Sequence, residues 1–284
     1  MTSASVVIVT MGDRPEPLAR AIESVRRQTM ATELIVVGNG CDPVIADPQA
    51  KVVTTLENLG VAGGRNRGWR TASGGVVFFL DDDARYAVST VVGEAMRRFE
   101  EDHGLVVLSL RIVDDDGRVI RKHVPMLRKR DSRRVVDVTT FLGGACAVRR
   151  SALDELGGFP EDFRYALEET DVAWRVLDRG GRIGYAGDLD VIHPTVAMHL
   201  REGALHNTAR NRVVLARRHL PWPIVPVYLL VRGLLSLGNV RGWGDLKALA
   251  GGYRAGFGAT VADRHPIRWA TVWRMTRLGR PPIV

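Results

Sequence analysis

Residues 76–83 read VVFFLDDD: five apolar residues that run straight into three aspartates. A strand that is apolar throughout, as Val76–Leu80 is, suits the middle of a sheet covered on both faces. In an open α/β sheet, ligands bind at the carboxyl ends of the strands, and Asp81-Asp82-Asp83 stands at such an end. Three adjacent carboxylates repel one another. A divalent cation, with its preference for oxygen ligands, would relieve that repulsion. In an extended segment Asp81 and Asp83 point to one side and Asp82 to the other, so one pair is available to a metal–diphosphate complex. A solvated acidic turn is the plainer reading of the same triplet.

Toward the N-terminus, Ser5–Thr10 (SVVIVT) is another β-branched run, and Met11-Gly12-Asp13-Arg14-Pro15 follows as a turn with proline where a helix begins. Leu18, Ala21, Ile22 and Val25 recur on one helical face. Leu34–Val37 is a second strand, ending in Gly38-Asn39-Gly40, and Val52–Thr54 a third. A helix over Val61–Ala72 is stopped by Gly74-Gly75. Strands and helices alternating at this spacing predict an α/β fold with a mostly parallel central sheet flanked by helices. Toward the C-terminus, Val88, Val91, Val92, Ala95, Met96 and Phe99 form a helical face. Leu105–Ile112 and Arg118–Val124 read as strands joined at Asp116-Gly117, and Arg128–Arg134 as a charged loop.

A second acidic group, Glu168-Glu169-Thr170-Asp171, opens the helical stretch ETDVAWRVL. Capping of the helix dipole is the bland explanation. At 100° per residue, however, Glu169 aligns with Val172, Ala173 and Val176, while Glu168, Asp171 and Arg175 fall opposite. Desolvation on the apolar side would raise the pKa of Glu169 and suit it to general-base work. Arg175, four residues after Asp171, is placed for an ion pair. His193 ends an apolar step and precedes Pro194, where it is either structural or a metal ligand. The segment Asn58–Gly68 (NLGVAGGRNRG) combines glycines, amides and arginines ahead of a helix. Backbone N–H groups and the Arg65 fork there could meet phosphate.

The chain has 284 residues and a net charge of +8, with 45% apolar and 25% charged residues. That composition is ordinary for a globular protein and excludes wholesale disorder. Cys41 and Cys146 lack ligand-like spacing and read as reduced thiols. No signal peptide is legible, which predicts a cytoplasmic protein. From His199 onward there are 14 Lys+Arg against 3 Asp+Glu, and four of the six tryptophans: Trp222, Trp243, Trp269 and Trp273. This shift divides the chain into 1–199 and a basic, apolar, helical extension over 200–284. Ile224–Leu237 is strongly apolar but shorter than the roughly 20 residues that span a bilayer. Two readings stand for it: an interfacial helix on the inner face of an anionic membrane, or a helix packed on protein, including a homodimer interface.

Taken in series, SVVIVT, VVGNG, ENLGVAGGRNRG, FLDDDA, FLGGACAVRRSALDELGGF, LEETDVAWR and VIHP resemble the family-2 glycosyltransferases of the Rossmann-like GT-A fold, over roughly residues 5–195. The resemblance implies an inverting enzyme that uses a nucleoside-diphosphate sugar and Mg2+ or Mn2+, with a glycan or lipid-linked acceptor. It implies that Asp81 faces the nucleotide ribose and shares the metal site with Asp83 and His193. Glu169 would be the general base and Asp171 its support. Thr10, Arg14, Asn39, Asp42, Asn58, Gly64, Arg65, Asn66 and Asp82 would lie on the donor side. Gly143, Gly144, Gly158, Phe159 and Glu168 would lie on the acceptor side. Many members carry an aspartate that reads the base where this chain has Gly38; Asp42 is the substitute, and uridine, guanosine and thymidine donors stay open. Two other classes remain: a sugar nucleotidyltransferase, for which MGDRPEP is a poor signature, and a non-catalytic membrane or nucleic-acid binder. No nucleic-acid motif appears, so nucleic acid is not an expected partner.

Overall fold

A computed structural model describes residues 3–126, 131–194, 203–261 and 263–283. Strand β1 (Ala4–Thr10) lies between β2 (Thr32–Asn39) and β4 (Val76–Asp81), with β3 (Lys51–Thr55) outside β2. All three pairings are parallel, and helices α1 (Pro15–Arg26) and α2 (Gly60–Thr71) supply crossovers. Beyond β4 come β8 (Ala145–Arg149), β6 (Leu105–Val113), β9 (Arg182–Ile192) and the two-residue β5 (Arg85–Tyr86). The short β7 (Val135–Asp137) also pairs with β9. β8 runs antiparallel to both β4 and β6, so the sheet is parallel in its N-terminal half and mixed in the rest.

The alternation of side chains along each strand feeds two apolar layers. Val6 and Ile8 of β1 face Leu18 and Val25 of α1, together with Val92, Met96 and Phe99 of α3 (Val91–Glu101). Val7 faces the other layer, with Trp69 of α2 and Val172 and Trp174 of α5 (Glu168–Asp178). Covered on both sides, every residue of Val76–Leu80 is at most 2% exposed, as an unbroken apolar run requires. The same layer takes in Val214 and Leu215 of α6 (Ala204–His219), so this helix of the basic C-terminal region shares the core of the sheet. Helices α7 (Ile224–Leu237), α8 (Trp243–Gly258) and α9 (Trp269–Arg277) complete the described chain. The short α4 (Arg150–Leu156) follows β8.

Two local expectations need correction. Val88 precedes α3 and is 58% exposed, so it is not on the buried face. The Asp-Gly turn forms, with Gly117 at φ +73°, but Arg118–Val124 makes only one bridge, Val113 to Val119, and then a single 3-10 turn at Arg121–His123. β6 pairs with β8 only over Val107–Ser109 and with β9 along its other edge, and the returning chain adds the one bridge and no second hairpin strand. Of the loop expected over 128–134, residues 128–130 lie outside the described residues, and β7 begins directly after it.

Candidate active site

β4 delivers Asp81 to the sheet edge, and the following turn sets Asp82 and Asp83. β9 ends at Ile192, which brings His193 back to the same place. His193 Nε2 is 3.4 Å from Asp81 Oδ2 and 3.2 Å from Asp83 Oδ1. Its Nδ1 is 2.7 Å from the Pro194 carbonyl oxygen, to which it donates. That bond places a proton on Nδ1, so Nε2, turned toward the two carboxylates, is the ring atom that would meet a cation in exchange for its proton. Burial alone would lower the His193 pKa, but the carboxylates of Asp81 and Asp83 hold it above the usual value. One ligand atom from each of the three residues lies within 4.8 Å of the others, a donor set that fits a divalent metal. Asp82 turns the opposite way and is 2% exposed. Burial pushes its carboxyl up to about 6, against the lowering effect of the Thr10 hydroxyl and of Arg14, whose Nη2 is 2.8 Å away. Arg14 also pairs with Asp83. Beside Asp83 opens a cleft of about 300 Å3 with Arg20 and Arg85 on its walls, cations that the motifs did not single out.

Arg65 joins this group to the second acidic cluster. Its Nη2 is 3.5 Å from Asp81 Oδ1, and its Nη1 is 3.3 Å from Glu168 Oε1 and 3.2 Å from Glu169 Oε1. Burial works against the charge, but the three carboxylates around it raise the Arg65 pKa overall. The Gly143 N–H donates to Glu169 Oε1 at 3.2 Å. A Cβ on Gly143 would stand 2.2 Å from Arg65 Nη1, and one on Gly144 would stand 2.0 Å from Asp81 Oδ2. The two glycines therefore let Asp81, Arg65 and Glu169 close over one stretch of backbone.

The phase argument for α5 is overturned. Glu168, not Glu169, is the desolvated carboxylate, at 3% exposed, whereas the Glu169 side chain is 22% open. Burial first, and the negative charge of Glu169 second, raise the Glu168 pKa. The face expected to be polar is covered by α6. Asp171 is 1% exposed; His219 Nε2 lies 2.7 Å from its Oδ2, with Arg218 Nη1 at 3.3 Å and the anticipated Arg175 at 2.6 Å. Burial would raise the Asp171 pKa, but the His219 hydrogen bond and the arginines hold it down at about 2. Asp171 thus ties α5 to α6 and does not face the Asp81 group. The residues leading into α5, Ala166 and Leu167, have φ of 72° and 70°. Asn211 of α6 donates from Nδ2 to the Tyr165 and Ala166 carbonyls at 2.8 and 2.9 Å, holding this strained entry in place.

Residues 5–157, more than half of the chain, match the profile of glycosyl transferase family 2. The chain belongs to that family. Two Mycobacterium tuberculosis relatives, each named N-acetylglucosaminyl-diphospho-decaprenol L-rhamnosyltransferase, are 33% identical over 101 residues. The match covers 34% of this chain and 33% of theirs, so it spans about a third of the relatives' length. Among solved structures, GalNAc-T7 with UDP, GalNAc and Mn2+ superposes at a TM-score of 0.65 with 18% identity, covering 89% of this chain and 55% of that one. S. aureus TarS 1-349 gives 0.63 with 16% identity, over 90% and 81% of the two chains. A mannosyltransferase from Pyrobaculum calidifontis, with GDP-Man and Mn2+, gives 0.56 with 16% identity, over 98% and 73%. The GT-A expectation stands on these likenesses.

In this member of the family the other motif residues divide between the open side of the site and its support. Thr10 and Arg14 stand at the end of β1 against Asp82, and Asp42 and Asn58 are exposed at the rim. Asn39, Gly64 and Asn66 stand behind it. Asn39 accepts from the Leu59 N–H and donates to Asn58 and to the Gly60 carbonyl. A Cβ on Gly64 would come 2.6 Å from Val9, which makes this glycine a packing contact of α2 on β1. Asn66 is 0% exposed, its amide engaged by Phe159, Glu161 and Trp69. With their polar atoms consumed or absent, these three support the wall of the site without facing its open side. Phe159 is buried with Arg65 5.6 Å over its ring, and Gly158 packs on Asn66 and Trp69; both lie beneath the site, not on an acceptor rim. The departure at Gly38 has a steric cause: a Cβ there would meet the Cys41 carbonyl oxygen at 2.3 Å and Pro43 Cδ at 2.4 Å. The loop that carries Asp42 folds back over Gly38 and leaves no room for an aspartate.

Proposed function

We propose that this glycosyltransferase moves a sugar from a nucleoside-diphosphate sugar to a hydroxyl of a lipid-linked acceptor, inverting the anomeric centre, with Mg2+ or Mn2+ held by Asp81, Asp83 and His193. The observation that carries this reading is the single guanidinium of Arg65, which holds a metal-side carboxylate, Asp81, and the candidate base, Glu169, in one pocket. A bound cation would supply Lewis acidity that neutralises charge on the departing nucleoside diphosphate. Glu169, oriented by Arg65 and the Gly143 N–H and partly open to the cleft, takes the acceptor's proton. The freed oxygen forms its bond to the anomeric carbon as the bond to the diphosphate oxygen breaks on the opposite face, which inverts the centre. Burial and the charge of Glu169 favour the neutral form of Glu168, which limits the negative charge gathered on that pair.

The relatives support the donor and acceptor classes: UDP-GlcNAc and GDP-Man are bound in structural neighbours, and the mycobacterial relatives are named for a sugar diphospho-decaprenol. A lipid-linked acceptor calls for contact with a bilayer. No described helix is long and apolar enough to cross one. The basic, tryptophan-bearing C-terminal region supports a peripheral contact with the anionic inner face of a membrane. Thermal shift with UDP-, GDP- and dTDP-sugars, with and without Mn2+, tests the proposal. One donor class should raise the Tm only when Mn2+ is present, and Asp83→Ala should abolish that rise. A donor shift that ignores both Mn2+ and Asp83 would refute the metal site.

A further inference from the structure

α7 carries different chemistry on its two sides. Val227, Leu230, Leu234 and Leu237 form an outward stripe, 46–64% exposed. Tyr228, Arg232 and Ser236 turn inward and meet Arg212 from α6. Arg212 is only 7% exposed, and its Nη1 donates to the Arg232 carbonyl and the Ser236 hydroxyl. Among the described residues no carboxylate pairs with Arg212 or Arg232, and the buried Nε of each has no hydrogen-bond partner. Burial, and then the positive charge of Arg212, pull Arg232 below the usual arginine value; burial and Arg232 do the same to Arg280. Cations gathered in this way are complemented by an anion.

The inward side of Arg232 lines a cleft whose walls also include Thr140, Leu167, Thr170, Tyr228 and Arg280. Leu167 and Thr170 bracket Glu168 and Glu169 in the chain, and Thr140 lies three residues before Gly143, so the cleft is lined by the segments that also carry the candidate base and its Gly143 contact. Its enclosed part holds about 30 Å3, the room of one water, and it opens outward, so a phosphoryl oxygen can enter while the rest of a ligand stays at the mouth. We propose that this cleft is the subsite for the acceptor's diphosphate, gripped at Arg232 while the attacking hydroxyl lies at Glu169. The inference rests on the lipid-diphosphate acceptor proposed above.

Calorimetric titration with inorganic pyrophosphate, with a chelator present to silence the metal site, tests the subsite without reading turnover. The parent protein should bind pyrophosphate. Arg232→Gln should weaken binding about tenfold or more, and Arg232→Lys, which keeps the charge but not the fork, should recover most of it. Pyrophosphate binding equal in parent and Arg232→Gln overturns the subsite, as does its absence from the parent. If Arg232→Gln folds poorly, Arg232→Lys alone decides: affinity reduced by a few fold supports the subsite, and affinity identical to the parent's rejects it. Flotation on phosphatidylglycerol vesicles separates the two sources of phosphate. Arg232→Gln should float like the parent; if it loses flotation while still binding pyrophosphate, the cleft serves lipid headgroups and the proposal fails. Sugar transfer is read in neither arm, so the subsite and the transfer reaction stand or fall separately.

Discussion

Arg65 holds three carboxylates with one buried guanidinium, and each of the three then depends on it. Removing one partner of a buried ion pair costs roughly 3–5 kcal/mol because a charge is left without compensation. Arg65→Leu should therefore lower stability by about that amount in urea titration and reduce turnover as well. A variant as stable as the parent would show that the three contacts do not hold the pocket. Glu168 behaves differently. Its raised pKa favours the neutral form in the folded state, so its contribution to stability is present at low pH and declines as pH rises through the folded value. Glu168→Gln copies the neutral form; it should keep turnover and flatten the loss of stability between about pH 4.5 and 8, both readable in paired pH profiles. At this scale the sequence reading groups the carboxylates that the structure brings together but misjudges their surroundings. Asp81, Asp83 and His193 were legible because strand ends collect ligands, whereas Arg65 was read as a phosphate contact since its bridging role depends on residues about a hundred positions away.

At the scale of elements, α6 governs α5. It buries the helix face that periodicity marked as polar, which is why Glu168 and Asp171 are enclosed. A one-helix reading cannot see a second helix packed on the other side. Asp171 gives this contact a pH signature. Its pKa falls from 3.8 to about 2 on folding, so the stability it supplies is present above about pH 4 and is lost as pH falls toward 2. The shift corresponds to about 2 kcal/mol. Unfolding measured at pH 6 and pH 3 should show Asp171→Asn lacking this acid-sensitive component; an identical pH dependence would contradict the assignment. Asn211→Leu leaves the Tyr165 and Ala166 carbonyls without their donor and should cost about 1–3 kcal/mol. Its kcat should fall more than its affinity for donor, because the entry to α5 positions Glu169. Equal losses in kcat and donor affinity would point to general damage.

For the whole molecule, charge and exposed apolar surface gather in the C-terminal helices. The length and apolar character of α7 were legible from composition, but which residues face outward was not, since Tyr228, Arg232 and Ser236 are buried by partners on α6 and beyond α9. Leu230→Glu with Leu234→Glu should reduce flotation on anionic vesicles at least tenfold without lowering the Tm. If instead the parent sediments as a dimer that this variant dissociates, the stripe is a subunit contact and not a membrane one. The parallel half of the sheet followed from the alternation of strands and helices, whereas the antiparallel entry of β8 did not, because no local pattern states which neighbour a buried strand will choose.

The central claim is that two distant carboxylate groups serve one reaction, with the first holding the donor and the second taking a proton. Glu169→Gln separates these tasks most directly. With Mn2+ present, calorimetry should show a donor dissociation constant within about twofold of the parent, while turnover falls by about 10²–10⁴-fold. Turnover within a few fold of the parent would contradict the account.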